Sequence, residues 1–195
     1  DIHGKVEQVE RALAKDGKII FVGDFMDSFD RKTEDHRQCL ELVLRAIDSG
    51  KAEAIFGNHE LSYMMYQHQC SGYTTNRKEL MTEYQTEIKR KFKSFIILPE
   101  FLITHAGLHP IVLRNASKLD LKTGLGMQEW ADNQHSSAHW IGRSRGGNNS
   151  VGGIFWCDWN MEFEPIDGLN QIFGHTAGKG IRTRHTKTSK NFCID

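Results

Sequence analysis

Apolar residues recur at helical spacing after Gly4, where Val6, Val9 and Leu13 share one face among charged neighbours and Asp16-Gly17 closes the segment. Lys18-Ile19-Ile20-Phe21-Val22 is a run of strand length that delivers Gly23-Asp24 at its end, which predicts a buried strand. A polar loop from Ser28 to Thr33 leads to a second amphipathic helix, marked by Leu40, Val43, Leu44 and Ile47 and ended by Ser49-Gly50. The apolar run Ala54-Ile55-Phe56 then reads as a second buried strand running into Gly57. Strand, loop, helix, strand, loop is the grammar of an α/β sheet, and such sheets collect functional groups beyond the carboxyl ends of their strands.

Leu61 to Phe92 is helical in pattern and charged, with a break at Cys70-Ser71-Gly72; this predicts a helical cap over 61–93 within one domain spanning 1–195. Phe95 to Leu98 and Phe101 to Thr104, split by Pro99-Glu100, predict two strands joined by a tight turn. Residues 110–140 are mixed, helical around Met127 to Asn133, and Arg143 to Gly153 is a loop rich in Gly and Asn. Leu169 to Phe173 is another short apolar run, ending at Gly174-His175, and Asn191 to Asp195 begins a strand-like stretch. The expected class is α/β, a two-layer β-sandwich flanked by helices. Because no strand precedes Asp1 and the last stretch stops abruptly, terminal strands of that sandwich are expected to be incomplete.

Composition narrows the partners. The 195 residues are 38% hydrophobic, enough for one ordinary core. Lys plus Arg equals Asp plus Glu at 25 each, so no global field draws the chain to nucleic acid or to an anionic membrane. No apolar stretch approaches a bilayer span. Cys39, Cys70, Cys157 and Cys193 are scattered without a CxxC pair, which points to reduced structural thiols and a cytoplasmic setting.

Asp1, His3, Asp24, Asn58, His105 and His175 all fall just after predicted strands or at an equivalent loop. Their oxygen and nitrogen donors, with no thiolate, suit manganese first, with iron or zinc as the other fits. Two ions need a shared carboxylate, and Asp24 is the natural bridge. With ions roughly 3.5–4 Å apart, a bridging water is acidified to hydroxide and a phosphoryl group can be clamped for in-line attack. Gly57-Asn58-His59-Glu60 places an amide oxygen beside an imidazole, a ligand next to a proton carrier.

Asp1-x-His3-Gly4, Gly23-Asp24-x-x-Asp27, Gly57-Asn58-His59-Glu60, His105-Ala106-Gly107 and Gly174-His175, in that order, resemble the calcineurin-like metallophosphoesterase superfamily. Within it they are similar to the phosphoprotein phosphatase branch, including bacterial and phage serine/threonine phosphatase-like proteins and symmetrical diadenosine tetraphosphate hydrolases. The resemblance implies that Asp1 and His3 bind a first metal, that Asp24 bridges, and that Asn58, His105 and His175 bind the second. It further implies that His59 is a general acid held by Asp27, with Glu60 supporting the turn. The implied activity is that of a dinuclear-metal phosphoesterase, a serine/threonine phosphatase-like phosphomonoesterase. The alternatives are a diadenosine tetraphosphate or cyclic-nucleotide hydrolase, and a metal-binding module with impaired turnover. The expected partner is a phosphorylated substrate, whether phosphoprotein, nucleotide or small phosphate ester.

One departure matters. The phosphatase motif GDxVDRG supplies an Arg directly after its second Asp, where this chain has Ser28. Arg143 and Arg145 in the Gly-rich loop are the better candidates for a phosphate clamp, ahead of Arg31. Taken singly, each of these motifs also has a structural explanation, as a strand-end turn or a satisfied core histidine. His36, His68, His135, His139 and His185 have no ligand spacing and are expected in surface or core roles, and Trp130, Trp140, Trp156 and Trp159 are expected as core or cap aromatics rather than stacking platforms.

Overall fold

In the first half of the chain, two short parallel strands set the positions of everything functional. β1 (Ile19–Phe21) pairs in parallel with β2 (Ala52–Ala54), Ile19 opposite Ala52 and Phe21 opposite Ala54. The crossover between them is α2 (Thr33–Asp48), whose first turn is closed by the Asp35 carboxylate accepting the Lys32 amide at 2.8 Å. α1 (Val6–Leu13) precedes β1, and its Val9 joins Phe21, Phe25, Leu40, Val43 and Leu44 in one buried cluster. The second strand lies two residues earlier than the apolar run predicts, because Ala52 and Ala54 supply the pairing face while Ile55 makes only an isolated bridge to Lys93.

The computed structural model describes residues 1–195 except 66–67, 117–118 and 122, so the parts of the predicted cap and of the mixed 110–140 stretch that fall on those positions lie outside the described residues. Two compact units are distinguished, Asp1–Lys93 and Ser94–Asp195. The first ends with α3 (Asn58–Met64) and α4 (Thr75–Lys91), separated by a stretch that contains Cys70-Ser71-Gly72. α3 starts at Asn58 and not after Glu60, since Gly57 is its N-cap and the Glu60 carboxylate returns to the Gly57 amide at 3.0 Å. Leu80, Met81, Ile88 and Phe92 of the α4 region complete the first unit's core.

The second unit is built on a five-stranded mixed sheet of order β3-β4-β5-β7-β6. β3 (Ile96–Ile97) and β4 (Leu102–Ile103) form the expected antiparallel turn, and β4, β5 (Gln171–Phe173) and β7 (Lys190–Cys193) run parallel. β6 (Arg182–His185) pairs antiparallel with β7. It is not foreseen from the sequence, because Arg-Thr-Arg-His is a partly exposed edge strand with no apolar run to announce it. The remaining helices are α5 (Pro110–Arg114) and α6 (Met127–Asp132), with 3-10 turns at Ser137–His139 and Arg143–Arg145. Trp159, Phe163, Phe173 and Cys193 form a buried cluster in this unit, and Phe155 and Trp156 are buried too, so the aromatic segment 155–159 is core. The chain is therefore of the α/β class, with helices and a mixed sheet. Among the described residues no helix is long and apolar enough to cross a membrane.

Candidate metal and phosphoester site

Both β1 and β2 end in site loops, and as parallel neighbours they open those loops on the same side. The turn after β1 brings Asp24 to within reach of the one after β2. Gly23 has φ +101°, and a Cβ there would stand 2.5 Å from the Gly57 nitrogen. A Cβ on Gly57 would in turn strike the Asp24 side chain and backbone nitrogen. Glycine is required at both positions for the loops to touch.

Glu60 fastens that contact. Its carboxylate, fully buried, accepts the amides of Asp24 at 2.9 Å, Phe25 at 2.8 Å, Met26 at 3.0 Å and Gly57 at 3.0 Å. Burial and the charge of Asp24 push the Glu60 pKa up, while the amides of Met26 and Gly57 pull it down.

The non-glycine residues with positive φ are His3 (47°), Asp24 (52°), Asp27 (64°) and His175 (71°), among the described residues. Each is a residue singled out from the sequence. Left-handed backbone at Asp or His costs about 1–3 kcal/mol and persists where the surroundings impose it, which marks these loops as shaped for their side chains.

His3 shows what the first unit's arrangement accommodates. Its Nδ1 lies 2.8 Å from the Met26 carbonyl and 2.7 Å from that of Asp27, so Nδ1 carries a proton and, in the neutral imidazole, Nε2 is left with a lone pair. That lone pair looks at Asp1 Oδ2, 3.8 Å away, and Asp24 Oδ2, 4.0 Å away. An acceptor facing two carboxylate oxygens at such separations is the geometry of ligands around a cation, with the carbonyls as outer partners that hold the ring. Asp24 divides its oxygens: Oδ1 accepts the His59 amide at 3.0 Å, while Oδ2 is 4.0 Å from both His3 Nε2 and His59 Nε2. His3, Asp24 and His59 together could hold a metal ion. Asn58 donates Nδ2 to Cys70 Sγ at 3.2 Å, which identifies its amide oxygen as the atom a cation would take. Asp1, His3, Asp24 and Asn58 are four donors of the chemistry that fits a divalent ion; His59, within the same reach of His3 and Asp24, is not a ligand while its Nε2 carries a proton.

His59 Nδ1 meets Asp27 Oδ2 at 2.8 Å. Burial lowers the imidazole's proton affinity, but the Asp24 charge and the Asp27 hydrogen bond outweigh it and leave the pKa raised. A protonated His59 has Nε2–H to give.

In the second unit, β4 and β5 run parallel side by side and end at His105 and His175. His105 Nε2 and His175 Nδ1 are 3.1 Å apart, and both rings are buried. The pair is set by the Gly174 amide donating to the His105 carbonyl at 2.7 Å and the Gly107 amide donating to Thr104 Oγ1 at 2.9 Å. A Cβ on Gly107, which has φ +92°, would press on the Phe163 ring at 3.0 Å. Two imidazole nitrogens turned toward each other also suit a shared ion.

The two arginines differ. Arg143 is exposed, whereas Arg145 pairs with Asp158 at 2.8 Å and donates to Thr176 Oγ1 at 3.1 Å and to the His175 carbonyl at 3.5 Å. Sequence reasoning misses Glu162, which accepts from the Ser144 amide and hydroxyl, from the Gly152 amide at 2.8 Å and from the Asp158 amide at 3.2 Å. It also misses Tyr63 and Arg77, which reach Asp27. Arg31, the other candidate for the absent motif arginine, pairs with Glu7 at 2.7 Å. His36 and His139 are buried, and His135 and His185 exposed.

A solved structure with the same fold is a protein serine/threonine phosphatase from Saccharomyces cerevisiae, described as similar to human phosphatase PP5; at 15% identity the TM-score is 0.51 over 99% of this chain. The chain spans 64% of the length of that structure. No curated protein matches the sequence. The family model of the calcineurin-like phosphoesterases, metal-dependent enzymes that cleave phosphate esters, matches residues 1–179, and the chain belongs to this family.

Proposed function

We propose that the chain is a dinuclear-metal phosphoesterase acting as one domain over 1–195, with 61–93 as its helical cap, and that its substrates are phosphomonoesters of the serine/threonine phosphatase kind. The observation that carries this reading is the Nε2 of His3, aimed at Asp1 and Asp24 from a ring whose Nδ1 is locked by two carbonyls. The assigned ligands are Asp1, His3, Asp24 and Asn58 from the first unit and His105 and His175 from the second, with manganese favoured by their oxygen and imidazole donors. When bound, such ions supply Lewis acidity toward phosphoryl oxygens and an activated water.

The chain's own residues do the rest. His59 holds a proton at Nε2 for the leaving oxygen, and Asp27 fixes the ring and sustains its charge. Arg143 offers an exposed guanidinium to the phosphate, and Arg145, tied to Asp158, is the stiffer member of the clamp. Burial of Trp156 and Trp159 in the second unit's core removes the aromatic segment as a base-stacking platform, which favours simple monoesters over dinucleotides.

The test is a panel of p-nitrophenyl phosphate, its bis ester, a phosphopeptide and diadenosine tetraphosphate, each with the manganese-loaded chain. Monoester turnover at least about tenfold above the diester and the dinucleotide is expected, a margin within the usual worth of a matched acid. Background rates on all four with metal bound would refute the enzyme reading, and preference for diadenosine tetraphosphate would reassign the substrate.

A further inference from the structure

Asp27 has two oxygens, and only one is used by His59. Tyr63, one turn beyond His59 on α3, donates its hydroxyl to Asp27 Oδ1 at 2.5 Å, while Oδ2 takes the imidazole. The phenol is itself placed: its ring stacks on Tyr73 with centroids 4.5 Å apart, and its oxygen accepts the Thr74 amide at 3.4 Å. Gly72, at φ +84°, lets the chain pass so near that a Cβ would sit 3.2 Å from the Asp27 Cβ. Arg77 from α4 stands 3.7 Å from Oδ1 but spends its guanidinium on the carbonyls of Gly72, Ser28 and Arg31, which binds the segment after Asp27 in place. That carboxylate is 1% exposed, so no water substitutes for a missing donor.

From this geometry we infer that Tyr63 is a positioning residue for the Asp27–His59 pair, turning the carboxylate so that Oδ2 meets the imidazole. The role rests on the proposed function, in which His59 protonates the leaving oxygen. Without the phenol, Oδ1 is left with Arg77 at 3.7 Å, beyond hydrogen-bond reach, so the carboxylate turns more freely about its last bond and the imidazole loses its fixed direction. Tyr63 acts through Asp27 and does not touch the substrate. With Tyr73, Thr74 and Arg77 it forms the floor of the acid pair.

The test compares Tyr63→Phe, His59→Asn and the unaltered full chain, loaded with manganese, on phenyl phosphate and p-nitrophenyl phosphate. Phenolate leaves poorly without a proton and nitrophenolate leaves well, so damage to the acid falls mainly on the first ester. For Tyr63→Phe we expect kcat on phenyl phosphate to fall about tenfold, less on p-nitrophenyl phosphate, with KM little changed; His59→Asn should show the same bias at about a hundredfold. Thermal melting verifies that Tyr63→Phe is folded. Equal losses on both esters, or none, overturn the inference and leave the acid assignment standing. Absence of the bias in His59→Asn removes the acid assignment, and hydrolysis of neither ester by the unaltered chain removes the proposed function, taking the inference with it. Independently of turnover, the His59 Nδ1–H proton resonance of the metal-loaded chain should move upfield or broaden in Tyr63→Phe; an unmoved resonance counts against the role.

Discussion

Glu60 and Glu162 do the same kind of work at different depths. Glu60 is fully buried and receives four backbone amides from the two loops that follow β1 and β2. Glu162 is half-exposed and gathers the Ser144 turn, Gly152 and Asp158 around the Gly-rich segment. A sealed carboxylate has no water to replace a lost partner, so the Asp24 and Asn58 loops are rigid; a hydrated one can trade partners, so the Arg143–Arg145 turn can adjust. Rigidity suits the proposed metal ligands, whose distances an ion would fix, and adjustability suits an arm proposed to meet substrates.

The largest expected effect breaks the deeper staple. In Glu60→Gln one oxygen becomes an NH2 group facing amide donors, and those N–H groups are left buried without an acceptor. The loss should be about 2–4 kcal/mol of stability, together with weakened manganese binding. Glu60→Gln melting within a degree of the unaltered chain would show that the four amides do not depend on the carboxylate charge. Calorimetric titration with manganese and denaturant unfolding are the two measurements.

The two staples were also unequally legible. Glu60 lies in a tetrapeptide directly after an apolar run, so its support role follows from position in the sequence. Glu162 lies in Met-Glu-Phe-Glu, with partners up to 18 residues away, and nothing local announces it. The signal that could have found it is the cluster Gly142, Gly147, Gly152 and Gly153, too many glycines for a loop that nothing packs against. The α/β alternation and the five site loops were readable because each is a local pattern. β6 was not, being polar, and neither was the left-handed backbone at His3, Asp24, Asp27 and His175, since strain in a non-glycine residue leaves no mark in composition. Tyr63 and Arg77 were hidden for a further reason: they reach Asp27 across 36 and 50 positions of sequence, and only the fold brings them there.

The glycines beside each staple sharpen the contrast. In Gly57→Ala the new methyl meets the Asp24 backbone nitrogen as well as its side chain, and the backbone cannot yield without moving the loop. In Gly142→Ala its nearest neighbours are the atoms of the Glu162 carboxyl group, the far end of a flexible side chain. Overpacking at Gly57 should cost about 2–3 kcal/mol and reduce manganese affinity, whereas Gly142→Ala should cost under about 1 kcal/mol. Equal costs would mean that the Glu162 staple is as rigid as the other.

Glu162→Gln comes next. Its carboxylate is within reach of water, so the loss should be about 1 kcal/mol, and it should be felt at the arm rather than throughout the unit. If the Arg143–Arg145 turn meets substrate, KM for p-nitrophenyl phosphate should rise severalfold with kcat nearly kept. A fall in kcat with KM unchanged would place the turn's contribution in the transition state instead.

The smallest effect tests whether the units differ in their response to acid as they do in their staples. His36 in the first unit and His139 in the second are both buried with pKa values lowered by desolvation, partly offset by the carbonyls of Lys32 and Ala131. His36 Nδ1 lies 2.8 Å from the Lys32 carbonyl, and His139 Nε2 lies 2.6 Å from that of Ala131. Each stays neutral in the folded chain to a lower pH than in the unfolded chain, where it takes a proton near pH 6.5. Stability is therefore full above pH 6.5 and is lost as the pH falls from there toward the lower folded pKa, at no more than about 1.4 kcal/mol per pH unit for each histidine. His36→Asn keeps a donor where Nδ1 stands, and His139→Gln keeps one where Nε2 stands, so each should flatten the slope of melting temperature against pH between 6.5 and 5 without removing its hydrogen bond. If only one of the two flattens it, acid sensitivity in this range belongs to that unit alone; if neither does, it lies with other groups and not with the deeper staple, because the raised pKa of Glu60 makes its protonation on acidification favour the folded chain.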